Sequence, residues 1–235
     1  MRTIGHRGLA GQAPENTLAG FREAAAHGLP MVEFDVRLSR DGVPLVFHDD
    51  MLERTTNGYG PVAEHDWAEL RKLDAGSWFA PAFAGEVIPS LEQVLRLCLD
   101  LGLAVNMEIK PDTGREAETA QTALALALGL WPADAPKPLV SSFEAICLET
   151  ARQVAPHWPR ALLAGELPAG WREQVRHLEA GALHLDHRNL DQGQVEDVLE
   201  EGLAVRAYTV NDPFEAARMR NWGVTAIFSD YPHSS

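Results

Sequence analysis

Glu33 and Asp35 stand two residues apart in the run MVEFDV (31–36). In an extended strand a spacing of two puts both carboxylates on one face. Two carboxylates on one inward face repel each other and are costly to desolvate unless a cation joins them. Glu108, near the end of AVNMEI (104–109), adds a third, and Lys110 follows it on the same side. Three carboxylates with no cysteine nearby form an oxygen-donor set, suited to one divalent hard cation, Mg²⁺ or Ca²⁺, rather than zinc. The plainer alternative for any one of them is a salt bridge to Arg7 or Lys110. His6 and Arg7 lie side by side in GHRG (5–8), and His48 closes PLVFH (44–48). Two imidazoles converging on a carboxylate cluster would supply a general acid and a general base. Arginine offers a planar bidentate clamp for an oxyanion, and lysine a point charge. A cation, two basic side chains and two histidines together match the needs of phosphoryl transfer, namely charge neutralisation and proton handling on both sides of the phosphorus.

These residues work together only if the fold brings them together. Short apolar or β-branched runs recur along the chain at 2–4, 31–36, 104–109, 138–143, 160–164, 182–186, 204–210 and 225–230, most of them followed by a helical pattern. Asn16 or Thr17 is placed to cap the first helix. Gly102, Gly181, Gly202 and Gly223 each fall just past a helical stretch and shortly before the next strand, where a helix-terminating glycine belongs. The repeated helix, glycine, strand punctuation predicts successive βα units, and eight of them predict an α/β fold, a closed (β/α)₈ TIM barrel. A ninth run, PLVFH (44–48), follows Arg37 too closely for a parallel crossover. Asp41-Gly42 is a hairpin turn signal, so residues 37–48 are predicted to fold back on the second strand and carry His48 beside Glu33 and Asp35. Residues 49–88 then break the rhythm and read as a small insertion within one domain spanning 1–235, at the barrel end where lids and substrate walls arise. Phe143 and Tyr208, near strand ends, are candidates to line the pocket.

Composition narrows the partners. A net charge of −14 argues against a nucleic-acid surface, which needs clustered Lys and Arg. The most apolar stretch, Ala120 to Leu130, is too short to span a bilayer, so no membrane insertion is expected. The amino terminus has no apolar run with a small-residue cleavage site, and Cys98 and Cys147 read as reduced, partly buried thiols; both point to the cytoplasm. HLDH (184–187) has the look of a metal motif, but period two puts His184 and Asp186 on one face and His187 on the other, which speaks against a second metal site and leaves a contribution to the substrate pocket as the alternative. Trp78 and Phe79 in the insertion either cover the substrate or pack the insertion. His65, His157, His177 and His233 read as surface or loop residues. Oligomeric state leaves no mark in the sequence.

The ordered series HRG (6–8), PENT (14–17), EFDVRLSRDGVPLVFHDD (33–50), LERTTNG (52–58), LDAGSWF (73–79), IPSLEQVL (88–95) and NMEIKP (106–111) resembles the glycerophosphodiester phosphodiesterases. The resemblance continues through SSFE (141–144) and AYTVN (207–211) to FSDYP (228–232), and is greatest to the small bacterial cytoplasmic members. It implies a TIM barrel with a small segment inserted after the second histidine. It implies metal-dependent hydrolysis of a small glycerophosphodiester to sn-glycerol 3-phosphate and an alcohol. His6 and His48 match the family's acid–base pair, Glu33, Asp35 and Glu108 its metal ligands, and Arg7 and Lys110 its phosphate-holding residues. Many members have Trp where Tyr208 stands and Thr where Ser229 stands; both differences keep an aromatic ring or a hydroxyl and bear on substrate fit. A phosphodiesterase acting on lysophospholipids would need an apolar channel or a membrane-binding face, and the sequence offers none. A binding protein that had lost catalysis would lack one of the histidines or carboxylates, and none is missing.

Overall fold

The computed structural model describes residues 1–231. Eight parallel strands form a ring: β1 (Arg2–Gly5), β2 (Met31–Leu38), β4 (Ala104–Ile109), β5 (Leu139–Ser142), β6 (Arg160–Ala164), β7 (Ala182–Asp186), β8 (Ala204–Tyr208) and β9 (Ala226–Ser229). The ring closes where β1 pairs with β9 on one side and β2 on the other. Strand β3 (Pro44–Val46) stays outside it, antiparallel to β2, with Val46 opposite Val36. The turn between them is made at Asp41-Gly42, where Gly42 takes a left-handed φ of 79°. The barrel and the hairpin arm therefore match the strand pattern of the sequence. Among the described residues no helix is long and apolar enough to cross a membrane.

Helices α1 (Leu18–Ala26), α3 (Leu91–Leu101), α4 (Glu116–Leu130), α5 (Ala145–Val154), α6 (Trp171–Leu178), α7 (Gln192–Glu200) and α8 (Pro213–Asn221) surround the ring. Local chemistry sets their starts. Thr17, not Asn16, caps α1 by accepting from the Gly20 N–H. Ser90 and Gln93 form a reciprocal capping box on α3, as do Asp191 and Gln194 on α7. Pro213 occupies the first turn of α8 behind its cap Asp212. Gly102, Gly202 and Gly223 have the expected positive φ after their helices, but Gly181 does not. After α6 the left-handed residue is Glu179, at φ 49°, so that helix turns two residues earlier than the glycine suggested.

The main apolar core lies between helices and ring: Phe21, Phe34, Leu95, Met107, Leu124 and Leu148 are among its fully buried members. A second cluster, Leu45, Phe47, Leu52, Val62, Leu70, Ala75 and Ile88, ties the inserted segment to β3. Within that segment the chain forms a short helix, α2 (Trp67–Leu70), preceded by a 3₁₀ turn at Val62–Glu64. The strands predicted at 138–143 and 204–210 end at Ser142 and Tyr208. Past Tyr208 the chain leaves the ladder, and Val210 N–H bonds to the Phe228 carbonyl instead.

Candidate active site

The carboxyl ends of the strands open on a cavity of about 330 Å³. Strand β2 carries Glu33 and Asp35 on its inner face, and β4 runs alongside in a register that sets Asp35 opposite Glu108. Carboxylate oxygens of Glu33, Asp35 and Glu108 lie within 4.8 Å of one another, and all three side chains are buried. Burial pushes the Glu33 carboxyl well above the usual carboxylate range, and the charges of Asp35 and Glu108 push it further. Burial, then Asp35, raises Glu108 to about 8. Asp35 goes the other way: burial raises it, but Arg7, His48 and Lys110 around it and a hydrogen bond from Asn16 outweigh burial and hold it at about 2. Three acidic groups kept dry at this spacing strain against their own charge, which is the environment a hard cation with oxygen ligands relieves. The donor set fits Mg²⁺ or Ca²⁺; it is also, among the described residues, the one grouping of acidic, histidine and cysteine side chains close enough to hold an ion.

The turn after β1 is shaped around this cluster. Arg7 has a left-handed φ of 51°, which aims its backbone N–H at Glu33 Oε2, 3.0 Å away. Gly8 follows at φ 90°, and its backbone lies so close to α1 that an added Cβ would stand 2.7 Å from the Gly20 carbonyl carbon. Only glycine fits there. The Arg7 guanidinium donates to Glu15 Oε1 at 2.7 Å and leaves Nε, 3.6 Å from Asp35, buried without a hydrogen bond. Burial works against its charge, but Asp35, Glu15 and Glu33 together keep it firmly protonated.

Both histidines are gripped through Nδ1. The His6 Nδ1–H donates to Asp230 Oδ1 at 2.7 Å, and Asn211 Nδ2 donates to the other Asp230 oxygen at 2.6 Å. The His48 Nδ1–H donates to Asp49 Oδ1 at 2.6 Å, while Lys110 Nζ donates to His48 Nε2 at 2.6 Å. An ammonium can only donate, so in this arrangement His48 Nε2 is an unprotonated acceptor. Burial lowers the His48 pKa, and Arg7 and Lys110 add to that; Asp35 and Asp49 oppose it. Arg54 binds both Asp49 and Glu15, so the inserted segment is laced to the HRG turn. Arg37, 1% exposed, donates to the His48 carbonyl at 2.9 Å and pairs with Asp112 and Asp50.

All nine residues singled out from the sequence line this one cavity: His6, Arg7, Glu33, Asp35, His48, Glu108, Lys110, Phe143 and Tyr208. Phe143 and Tyr208 meet edge to face at 6.2 Å and form an apolar wall with Leu163 and Phe228. His184 also lines the cavity, and Arg188 stands at its rim on Asp186. Trp78 and Phe79 do not reach it; Trp78 meets Phe79 edge to face, and Phe79 meets Phe83 the same way, within the insertion. His65 and His177 bond to Tyr59 and Glu149 away from the cavity, and His157 is exposed. His233 lies outside the described residues. Cys98 and Cys147 are buried free thiols, both pushed by burial to about 12.

Residue-by-residue reading missed the side chains that hold the histidines. Asp230 had a signal: a closed barrel sets its last strand beside its first, so the residues just past Gly5 and Ser229 must meet. Asp49 had adjacency to His48. Glu15 stood in PENT with no stated role, and Asn16 only as an alternative cap of the first helix. They bind Arg7 and Asp35 respectively, the latter through Asn16 Nδ2 at 2.9 Å.

The chain matches the sequence model of the Glycerophosphoryl diester phosphodiesterase family over residues 6–234. A glycerophosphodiester phosphodiesterase of Caldanaerobacter subterraneus subsp. tengcongensis is 35% identical over 232 residues, covering 98% of this chain and 94% of the relative. One from Bacillus subtilis is 32% identical, covering 98% and 83%. Among solved structures, a phosphodiesterase of Oleispira antarctica in complex with the product sn-glycerol-3-phosphate superposes with a TM-score of 0.96 at 40% identity, over 99% of this chain and 94% of the other.

Proposed function

The chain belongs to the glycerophosphoryl diester phosphodiesterase family, and we propose that it hydrolyses small glycerophosphodiesters to sn-glycerol 3-phosphate and an alcohol, with a divalent cation and two histidines. The observation that carries this is the meeting of three buried carboxylates, two Nδ1-anchored imidazoles and the cations Arg7 and Lys110 in one cavity. The product complex of the Oleispira antarctica enzyme supports the identity of the product.

Glu33, Asp35 and Glu108 would hold the cation. When bound, it supplies positive charge against the non-bridging phosphate oxygens. Arg7, already oriented by Glu15, has its Nε free to turn from the Asp35 side toward a phosphate oxygen. Lys110 leaves His48 Nε2 for a phosphate oxygen as substrate enters, which exposes that ring nitrogen to the reacting groups. His6 and His48 present Nε2 inward because Asp230 and Asp49 hold Nδ1. One imidazole takes the proton of the attacking hydroxyl, and the other gives a proton to the departing alkoxide. The wall of Phe143, Tyr208, Leu163 and Phe228 suits the carbon skeleton of the substrate and keeps water from that side.

The test is a coupled assay of glycerol 3-phosphate released from glycerophosphocholine and glycerophosphoethanolamine. Activity should vanish on exhaustive chelation and return with Mg²⁺ or Ca²⁺. His6→Ala and His48→Ala should each lower kcat by about 10²–10⁴. Unimpaired kcat in either variant, or full activity after chelation, refutes the corresponding part.

A further inference from the structure

The opposite end of the barrel is not filled. Barrel interiors are ordinarily packed with layers of bulky branched side chains. Here Ala104, Ala204 and Ala226 line the floor, at the starts of β4, β8 and β9, and leave a second cavity of about 240 Å³. Two guanidiniums border it, Arg2 from β1 and Arg206 from β8. The strand register sets both opposite Ala226, on the strand between them. Their backbones are thus two strand spacings apart, roughly 9–10 Å, with only a methyl group between.

Among the described residues neither guanidinium has an acidic partner. Among the described residues, the side-chain hydrogen bond that either one makes runs from Arg206 Nη1 to His184 Nε2 at 3.0 Å. Acidic residues are plentiful in a chain of net charge −14, so their absence from this cavity is not a matter of composition. Arginine does not shed its proton in proteins. Burial, and then the facing charge of Arg2, disfavour the Arg206 cation. The floor therefore carries two positive charges in a partly dry recess with unused N–H donors, and that field attracts an anion.

We propose that this floor cavity is a binding site for one small oxyanion of the phosphate or phosphomonoester class, held between Arg2 and Arg206. A tetrahedral oxyanion presents separate oxygens to two guanidinium forks. The recess is too small for a polyanionic chain, and Ile4 and Met31 shield its inner walls. Through the bond from Arg206 to His184 the floor is physically joined to the wall of the catalytic cavity.

The probe is inorganic phosphate, titrated calorimetrically at low ionic strength into the wild-type protein, Arg2→Gln and Arg206→Gln. Arg2 is exposed, so Arg2→Gln should fold normally even if Arg206→Gln does not. One wild-type binding event should weaken at least tenfold in Arg2→Gln, the effect of losing a charge-assisted contact, while binding at the catalytic cavity persists. Folded Arg206→Gln should lose the same event. Coincident isotherms for wild type and Arg2→Gln overturn the assignment. The two arginines lie outside the catalytic cavity, so this result is separable from the outcome of the hydrolysis assay.

Discussion

Replacing Asp230 by Asn tests how the fold holds His6. The carboxylate accepts from His6 Nδ1 at 2.7 Å on one oxygen and from Asn211 Nδ2 at 2.6 Å on the other. Burial raises its pKa, but the His6 and Asn211 bonds outweigh burial, so it is a carboxylate at neutral pH. An asparagine of the same shape must keep its oxygen toward Asn211, which can only donate there, and so turns its NH₂ toward His6. The imidazole then has to accept at Nδ1, which moves its proton to Nε2 and removes the negative charge that supports an imidazolium. Losing one hydrogen bond to a charged group, about 1.5–3 kcal/mol, lowers kcat roughly 10- to 150-fold. Enforcing the wrong tautomer carries the loss toward ~10⁴. KM should change little, because Asp230 does not line the cavity. The decisive assay is a double-mutant cycle with His6→Ala: once the imidazole is gone, Asp230→Asn should cost less than about twofold. Additive losses in the double variant would refute the idea that Asp230 acts through His6.

Two further outcomes follow from the site. Because Glu108 is raised from 4.5 to about 8 in the fold, the metal-free protein binds more protons folded than unfolded across that window, and its stability falls as pH rises through it. Mg²⁺ or Ca²⁺ should therefore raise Tm more at pH 8 than at pH 5, and equal gains in thermal melts at the two pH values would contradict the acidic-cluster electrostatics. Gly8→Ala forces a left-handed φ of 90° on a residue whose Cβ would collide with the Gly20 backbone; a loss of at least about 1–2 kcal/mol in urea unfolding is expected, and an unchanged midpoint would argue against that close approach.

Much of this architecture was legible because local signals and global count agreed. The hairpin rested on Asp41-Gly42 and on the shortness of the stretch after Arg37, and β3 indeed pairs with β2 so as to bring His48 to the cavity. Period two placed Glu33 and Asp35 together, whereas the adjacency of Glu108 to Asp35 depends on β4 being the next strand of the ring, since β3 lies outside it. Gly181 misled because a glycine near a helix end need not be the residue that turns; Glu179 adopts the left-handed conformation there. His184, set aside as a metal ligand but kept as an alternative pocket residue, lines the cavity from the inward face of β7, where the period of two puts it. The bonds from Arg54 to Glu15 and from Arg37, on β2, to Asp112 were invisible because they join segments distant in sequence.

The contact between His6 and Asp230 spans 224 positions of chain, from just after the first strand of the ring to just after the last. On the proposed mechanism, catalytic competence is thereby tied to ring closure itself. A chain still emerging from synthesis, or one whose final strand has frayed, can hold the carboxylates of β2 and β4 yet lacks the partner that sets His6. On that mechanism the enzyme cannot work as a partial barrel; its chemistry begins with the last strand to be made.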